Sequence, residues 1–471
     1  MRRPEIRKRE TEKQTSVLHD PGSHPESGST APESQRKTGP QGADPDGCLR
    51  RGRKQMNETE LQECIGRLET PFYIYDKDIL KATVRSFRSE LKPGIRLCYA
   101  MKANPFMTGF MAPLTDRIEV CSFGESRIVK DLGVAPEKLL ISGVLKKEED
   151  LSTIVDDFGD MPLYTVESPA QFRLLEENGR RRHLSLKVLL RLTNGSQFGM
   201  DPEQIERILA ARPLESKVIG IHYFTGTQKR NFSVIRKELA YISEFMDRMN
   251  EKYGYPFTCL EYGPGFRIDY FNNTNDFILT KEEWEELNRY LSNIREKYEV
   301  TLEMGRALTA ECGYYVTGVR DIKVNRKIHY AIVDGGIHQM NYDGQVRGIY
   351  RPDFMILKGK KEETRIGGNE KWTVCGSLCT TNDILLLQQD MQDLSVGDRI
   401  VFRRTGAYSV NEGMALFLSH ELPCVYSFSR NEGIHILRDR LETYGMTMDR
   451  MEKVRSYQTI ESEENHERKY K

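Results

Sequence analysis

The chain has 471 residues, and its 70 Lys plus Arg balance its 70 Asp plus Glu, so the formal net charge is zero. That balance leaves no electrostatic footprint for nucleic acid or an anionic membrane surface. No apolar run is long enough to cross a bilayer, and the first residues lack the apolar core of a signal peptide.

The nine cysteines are irregularly spaced, which fits reduced thiols in a cytoplasmic protein better than a disulfide framework. Cys375 and Cys379 stand four apart without a second pair or a histidine cluster, so no metal site is expected.

Residues 1–56 are rich in Arg, Lys, Glu, Ser, Pro and Gly and poor in aromatic and branched apolar residues. Such a segment cannot bury enough surface to offset its chain entropy, and it is expected to be a disordered charged tail. The ordered pattern begins with residues 57–77, where "PFYIYD" (71–76) reads as a strand that pairs into a sheet formed later in the chain.

Over residues 78–310, short apolar runs alternate with helical patterns. Strands are predicted at 96–102, 117–122, 138–143, 162–166, 186–192, 218–225, 257–263 and 300–305. The segment 231–254 carries an apolar stripe at helical spacing. Eight strand–helix units predict an α/β fold, a (β/α)8 barrel, with an open doubly wound sheet as the rival. Residues 311–440 change rhythm. "YYVTGVRDIKV", "HYAIVDGG", "KWTVCGS" and "DRIVFRRTGAY" predict a β-rich C-terminal domain, and 441–471 a terminal helix and charged tail.

In a (β/α)8 barrel the site lies at the carboxyl ends of the strands. Lys102 ends the first predicted strand in "YAMKANP", and Glu303 nearly ends the eighth. Barrel closure makes those strands neighbours, so an amine and a carboxylate meet at one mouth, as a site or as a plain salt bridge. The loops after strands seven and eight, the usual phosphate cradle of this fold, read "YGPGFR" and "EMGRA". Gly263 and Gly265 allow close approach of backbone N–H groups, and Arg306 adds a charged donor fork. Lysine, carboxylate and cradle together point to pyridoxal phosphate (PLP). Lys102 would form the Schiff base, and Glu303 would keep the pyridine nitrogen protonated. A protonated ring takes up the carbanion that decarboxylation leaves at Cα.

These residues resemble the fold-type III PLP decarboxylases, the group of diaminopimelate decarboxylase and eukaryotic ornithine decarboxylase, over roughly residues 70–440. "YAMKANP" is similar to the family's PLP-lysine motif, and "EVCSFGE" (119–125) to its acidic-Ala-Ser segment. "HYFTGTQ" (222–228) resembles its His-x-Gly-Ser-Gln motif, which puts Thr227 at the phosphate. "EMGR" resembles Glu-Pro-Gly-Arg, which implies the cofactor roles of Glu303 and Arg306. "CGSLCTTND" (375–383) resembles the motif whose cysteine protonates Cα, and "GAY" supplies a phosphate-contacting tyrosine, Tyr408. The resemblance implies an obligate homodimer in which Cys379 reaches into the partner's barrel. It also places Asp334 on the substrate side, although an aspartate before two glycines is equally a turn residue.

The departures bear on the substrate. Phe224 stands where the family stacks a histidine on the cofactor ring, a task a phenyl face can also perform. Pro264 and Arg267 replace glycines of the phosphate loop. Thr380 follows Cys379 where the diamino acid enzymes carry an acid for the distal ammonium, and a hydroxyl cannot pair a buried ammonium as a carboxylate does. The sequence looks more like the butirosin-pathway branch, which acts on an amino acyl group of an acyl carrier protein. The expected activity is α-decarboxylation of a carrier-linked or non-diamino substrate. The rivals are a diaminopimelate decarboxylase, an alanine-racemase-type enzyme, and an inactive homologue that binds another protein. Glu303 argues against the racemase, and the intact set of site residues against the inactive homologue. Arg191, ending the fifth strand, is read either as a cofactor contact or as a neighbour's partner. His338 and His420 are read as loop or packing residues.

Overall fold

The computed structural model describes residues 56, 58–211, 215–254, 257–271, 279–359 and 369–449. The expected tails at 1–55 and 450–471 lie outside the described residues.

Strand β1 (Phe72–Asp76) comes first and is wholly buried. The next eight are β2 (Arg96–Ala100), β3 (Arg117–Val120), β4 (Leu139–Ile141), β5 (Leu163–Val166), β6 (Lys187–Arg191), β7 (Lys217–Phe224), β8 (Cys259–Gly263) and β9 (Glu299–Met304). They are parallel and form a closed barrel. Closure is direct: Leu97 of β2 pairs with Leu302 of β9, and Cys98 with Glu303. The open-sheet alternative is thereby excluded. The helix predicted at 231–254 spans Phe232–Tyr253, capped by the Asn231 side chain and stopped at Gly254, whose φ is 56°.

Alternation along each strand sorts side chains between the barrel lumen and the helices outside. Cys98, Leu140, Leu163, Leu189 and Cys259 form a small apolar cluster of their own, while Leu97, Val188 and Leu190 join the main core. One polar layer crosses the lumen. Arg117 Nη1 donates to Glu261 (2.9 Å) and to the Thr301 hydroxyl (2.6 Å), and Nη2 donates to Glu299 (2.7 Å). Removing one partner from such a buried pair costs about 3–5 kcal/mol, because the other charge is left alone. Two residues further along the same strands come Glu119 and Glu303, so this layer is also the floor of the barrel mouth.

The remaining strands are β10 (Gly313–Asn325), β11 (Ile328–Val333), β12 (Phe354–Leu357), β13 (Asn369–Cys375), β14 (Ile384–Gln392), β15 (Arg399–Arg403), β16 (Cys424–Ser429) and β17 (Gly433–Arg438). Among the described residues, these and β1 make a nine-stranded sheet ordered β14-β13-β11-β10-β1-β16-β17, with β15 on β10 and β12 on β15. β1 runs antiparallel to β10 and parallel to β16, as the reading of "PFYIYD" anticipated.

One expectation is corrected. Lys102 does not end a strand: β2 stops at Ala100, and Lys102 sits in a single turn, Met101–Ala103. The turn is held by its neighbours. The Tyr99 hydroxyl donates to Asn104 O (2.7 Å), Tyr408 N donates to Ala103 O (2.7 Å), and the Asn104 side chain donates to Gly406 O (2.9 Å). Of the expected terminal helix and tail over 441–471, the described residues hold a four-residue helix, Tyr444–Thr447, and the rest lies outside the described residues. Among the described residues no helix is long and apolar enough to cross a membrane.

Candidate active site

At the carboxyl end of the barrel, Lys102 Nζ lies 2.5 Å from Glu119 Oε2 and 3.8 Å from Glu303 Oε1. Cys121 Sγ is 3.5 Å from the same nitrogen and donates to Glu119 Oε1 at 3.1 Å. Burial alone would lower the lysine's pKa, but Glu119, Cys121 and Glu303 outweigh it and hold the ammonium well above its usual range. Glu119, His222 and Glu303 lie close enough to one another to resemble a metal-ligand set. Here the Lys102 ammonium already occupies the cation's place between the two carboxylates.

His222 Nε2 lies 2.9 Å from Glu303 Oε2, but the two are not aligned as a hydrogen bond. Burial, then the nearby Arg191 charge, lowers the His222 pKa to about 3, so the imidazole is neutral. Glu303 Oε2 is a buried carboxylate oxygen that makes no aligned hydrogen bond, and Glu303 lines the cleft beside Lys102.

The cleft is lined by Lys102, Phe224, Thr227, Gly265, Glu303, Arg306 and Tyr408. Its far end is the expected cradle. Arg306 Nε donates to the Thr227 hydroxyl (3.3 Å), and Nη1 donates to Tyr270 (3.0 Å) and Asp343 (2.9 Å). The guanidinium lies over the Tyr408 ring at 4.7 Å. Gly265 has φ +62°, and a Cβ there would come within 2.0 Å of Gly226 O. At Gly263 a Cβ would sit 2.3 Å from the Phe224 ring, so the glycine fixes where that ring lies. These residues fit pyridoxal phosphate: an amine for the aldehyde, a donorless carboxylate for the ring nitrogen, and glycine backbone, hydroxyl and guanidinium for the phosphate.

Three sequence candidates stand elsewhere. Cys379 is exposed and Thr380 half-buried, in the loop between β13 and β14, and neither lines the cleft of its own chain. Asp383 anchors that loop by accepting from Ile337 N (2.9 Å) and Leu378 N (2.8 Å). Asp334 belongs to the β domain. One oxygen accepts from Thr317 (2.8 Å) and Gly318 N (2.9 Å), and the other from Thr70 (2.6 Å) and Arg320 (2.8 Å). All of its acceptor capacity is engaged, so nothing is left for a substrate ammonium. Arg191 pairs with Glu167 at 2.7 Å. The sequence reasoning missed the individual roles of Glu119, Cys121, His222 and Asp343. Glu119 and Cys121 lie within "EVCSFGE" and His222 heads "HYFTGTQ", and that placement was the signal available for all three.

The family described as "Pyridoxal-dependent decarboxylase, pyridoxal binding domain" matches residues 77–310. The chain is similar to L-glutamyl-[BtrI acyl-carrier protein] decarboxylase of Niallia circulans, at 28% identity over 81% of this chain and 94% of that protein. It is also similar to 2-[(L-alanin-3-ylcarbamoyl)methyl]-2-hydroxybutanedioate decarboxylase of Staphylococcus aureus, at 28% identity over 74% of this chain and 92% of that one. Among solved structures, diaminopimelate decarboxylase from Helicobacter pylori complexed with L-lysine has a TM-score of 0.70 at 19% identity. That match covers 81% of this chain and 97% of the other, and is a likeness of fold alone.

Proposed function

Because the chain belongs to the pyridoxal-dependent decarboxylases, we propose that it removes the α-carboxylate of an amino acid whose far end carries no ammonium. The substrate is a free acidic amino acid or an amino acyl group held on a carrier protein. The reaction class rests on Glu303, the buried carboxylate oxygen without a donor that faces the same cleft as Lys102. The substrate class rests on Thr380 after Cys379. It is supported by two relatives, neither of whose named substrates carries a second free amine.

When bound, the cofactor supplies an electron-accepting ring for the pair that CO2 leaves behind. The chain's own residues do the rest. Lys102 is the amine that would hold the cofactor's aldehyde end, and Glu119, 2.5 Å from its nitrogen, would keep the free ammonium beside the cleft. Glu303 would be the acceptor for the cofactor's ring nitrogen and would favour a proton on it. Thr227, Gly263, Gly265, Arg306 and Tyr408 hold the phosphate end, and Phe224 covers the ring. The neutral His222 backs Glu303 without competing for its charge. Cα receives its proton from the partner subunit's Cys379, since the Cys379 of the same chain lies outside the cleft. That assignment makes the enzyme a homodimer with shared sites. With the eight described cysteines all free, we place it in the cytoplasm.

The reading is tested by CO2 release from PLP-loaded protein. L-Glutamate or its γ-thioester should be decarboxylated, and meso-diaminopimelate, ornithine and lysine should not; rapid turnover of any of those three would sink the substrate class. The shared site has its own test. Lys102→Ala and Cys379→Ala proteins should each be inactive, yet a mixture should regain about a quarter of wild-type activity, because half of randomly paired dimers carry one intact site. No recovery after subunit exchange would remove Cys379 from the partner's site.

A further inference from the structure

Close to the cofactor cleft lies a second, narrow one, with a cavity of about 20 Å3, lined by Cys121, Phe123, Ser142, Leu145, Lys146 and Asp150 among others. The link between the two is one contact: Cys121 lines the second cleft, and its sulfur is 3.5 Å from Nζ of Lys102, which lines the first. A substrate held by its amine in the place of Lys102 therefore has this second cleft beside it.

Lys146 is the cation of that cleft, and its bonding is incomplete. Its ammonium donates to Gly143 O (2.8 Å) and to Gln171 Oε1 (3.3 Å), both neutral acceptors. Of its three N–H donors one remains. Among the described residues no carboxylate pairs with it. The nearby acids are already engaged: Glu167 with Arg191 at 2.7 Å, and Glu119 with Lys102 at 2.5 Å. Asp150 lines the same cleft but makes no ion pair with Lys146. Burial pushes the Lys146 pKa down to about 8, in the direction expected of a cation short of counter-charge. An incoming ammonium would be repelled there. A carboxylate or an acyl carbonyl would supply the missing acceptor, with Phe123 and Leu145 beside the carbon chain that leads to it.

We propose that Lys146 determines specificity by receiving an oxygen of the substrate's far end, and that it thereby excludes diamino acids. The assignment rests on the decarboxylase reading above and makes its substrate class specific: the group recognised is an oxygen acceptor, whether the carboxylate of a free acidic amino acid or the carbonyl of a carrier-bound acyl group.

The test uses PLP-loaded wild type, Lys146→Met and Lys146→Glu. The probes are L-glutamate, its γ-thioester with N-acetylcysteamine, and L-ornithine. Binding is read from the change in the cofactor's absorption band and catalysis from CO2 release, with cofactor content and dimer mass measured alongside. Wild type should respond to the oxygen-ended probes, and preference for the thioester or the free acid identifies the source. Lys146→Met should raise Kd and KM for those probes roughly 10- to 100-fold, the scale of a lost charge-assisted hydrogen bond. Its kcat should change far less, and its cofactor content not at all. Lys146→Glu should gain a response to L-ornithine. Unchanged KM in Lys146→Met, with wild type active on glutamate or its thioester, overturns the role of Lys146 alone. Loss of cofactor or of the dimer in Lys146→Met marks the lysine as structural and also overturns it. A wild type that responds to L-ornithine, and shows no absorption change with either oxygen-ended probe, overturns the substrate class and this assignment with it.

Discussion

Replacing Lys102 with alanine should abolish measurable CO2 release while leaving the fold intact. The loss should reach at least the 10²–10⁴-fold that a positioned proton-transfer group contributes, because the same nitrogen also carries the cofactor. The variant should bind pyridoxal phosphate only through the phosphate end and the ring. After borohydride reduction, mass spectrometry should therefore find no cofactor attached to the chain. The side chain lies in a one-turn segment held by Tyr99, Asn104 and Tyr408, none of which needs the ammonium, so the turn should survive. The change falls on Glu119 and Glu303, which lose the cation between them. A cofactor still attached to the Lys102→Ala chain would mean that another amine carries it, with Lys146 in the adjoining cleft the first suspect.

Glu303→Gln should lower kcat by roughly 10²–10³-fold, the usual effect of removing one preorganised electrostatic partner of the transition state. Glutamine keeps the length and a carbonyl oxygen, so cofactor content should change little. What is lost is the negative charge that favours a proton on the ring nitrogen. The paired measurement of kcat and cofactor content separates this from a binding defect. A variant that retains full kcat would remove Glu303 from the chemistry and reopen the racemase-type reading, in which that nitrogen does not face a carboxylate.

The eight barrel strands were legible because parallel strands buried on both faces read as near-continuous apolar runs, such as "KVLLR" in β6. β14 was not, since "ILLLQQDMQ" lacks a regular two-residue alternation of buried and exposed positions and ends polar. β12, β16 and β17 are short and sit among loops rich in charged residues. Lys102, Glu303 and Arg306 were legible because each belongs to a local motif beside a strand end. Glu119 and His222 head the motifs "EVCSFGE" and "HYFTGTQ", but their meeting with Glu303 was not legible, because a barrel layer is assembled from strands far apart in sequence. Asp343 comes to Arg306 from the β domain, a meeting that only the fold arranges. The misreading of Asp334 has the same origin: nothing in "VDGG" reveals that four donors converge on its carboxylate.

The pairing of β1 has a consequence for synthesis. Phe72 of β1 stands opposite Val316 and Cys424, both beyond the barrel in the chain. A chain emerging from the ribosome exposes "FYIYD" early and cannot cover it until nearly the whole polypeptide has been made. The barrel can close in the interval, whereas the sheet depends on contacts of very long sequence separation, the kind that form slowly. The nascent chain therefore carries an unpaired apolar strand for most of its elongation, so the β domain is the part whose maturation a chaperone would have to guard.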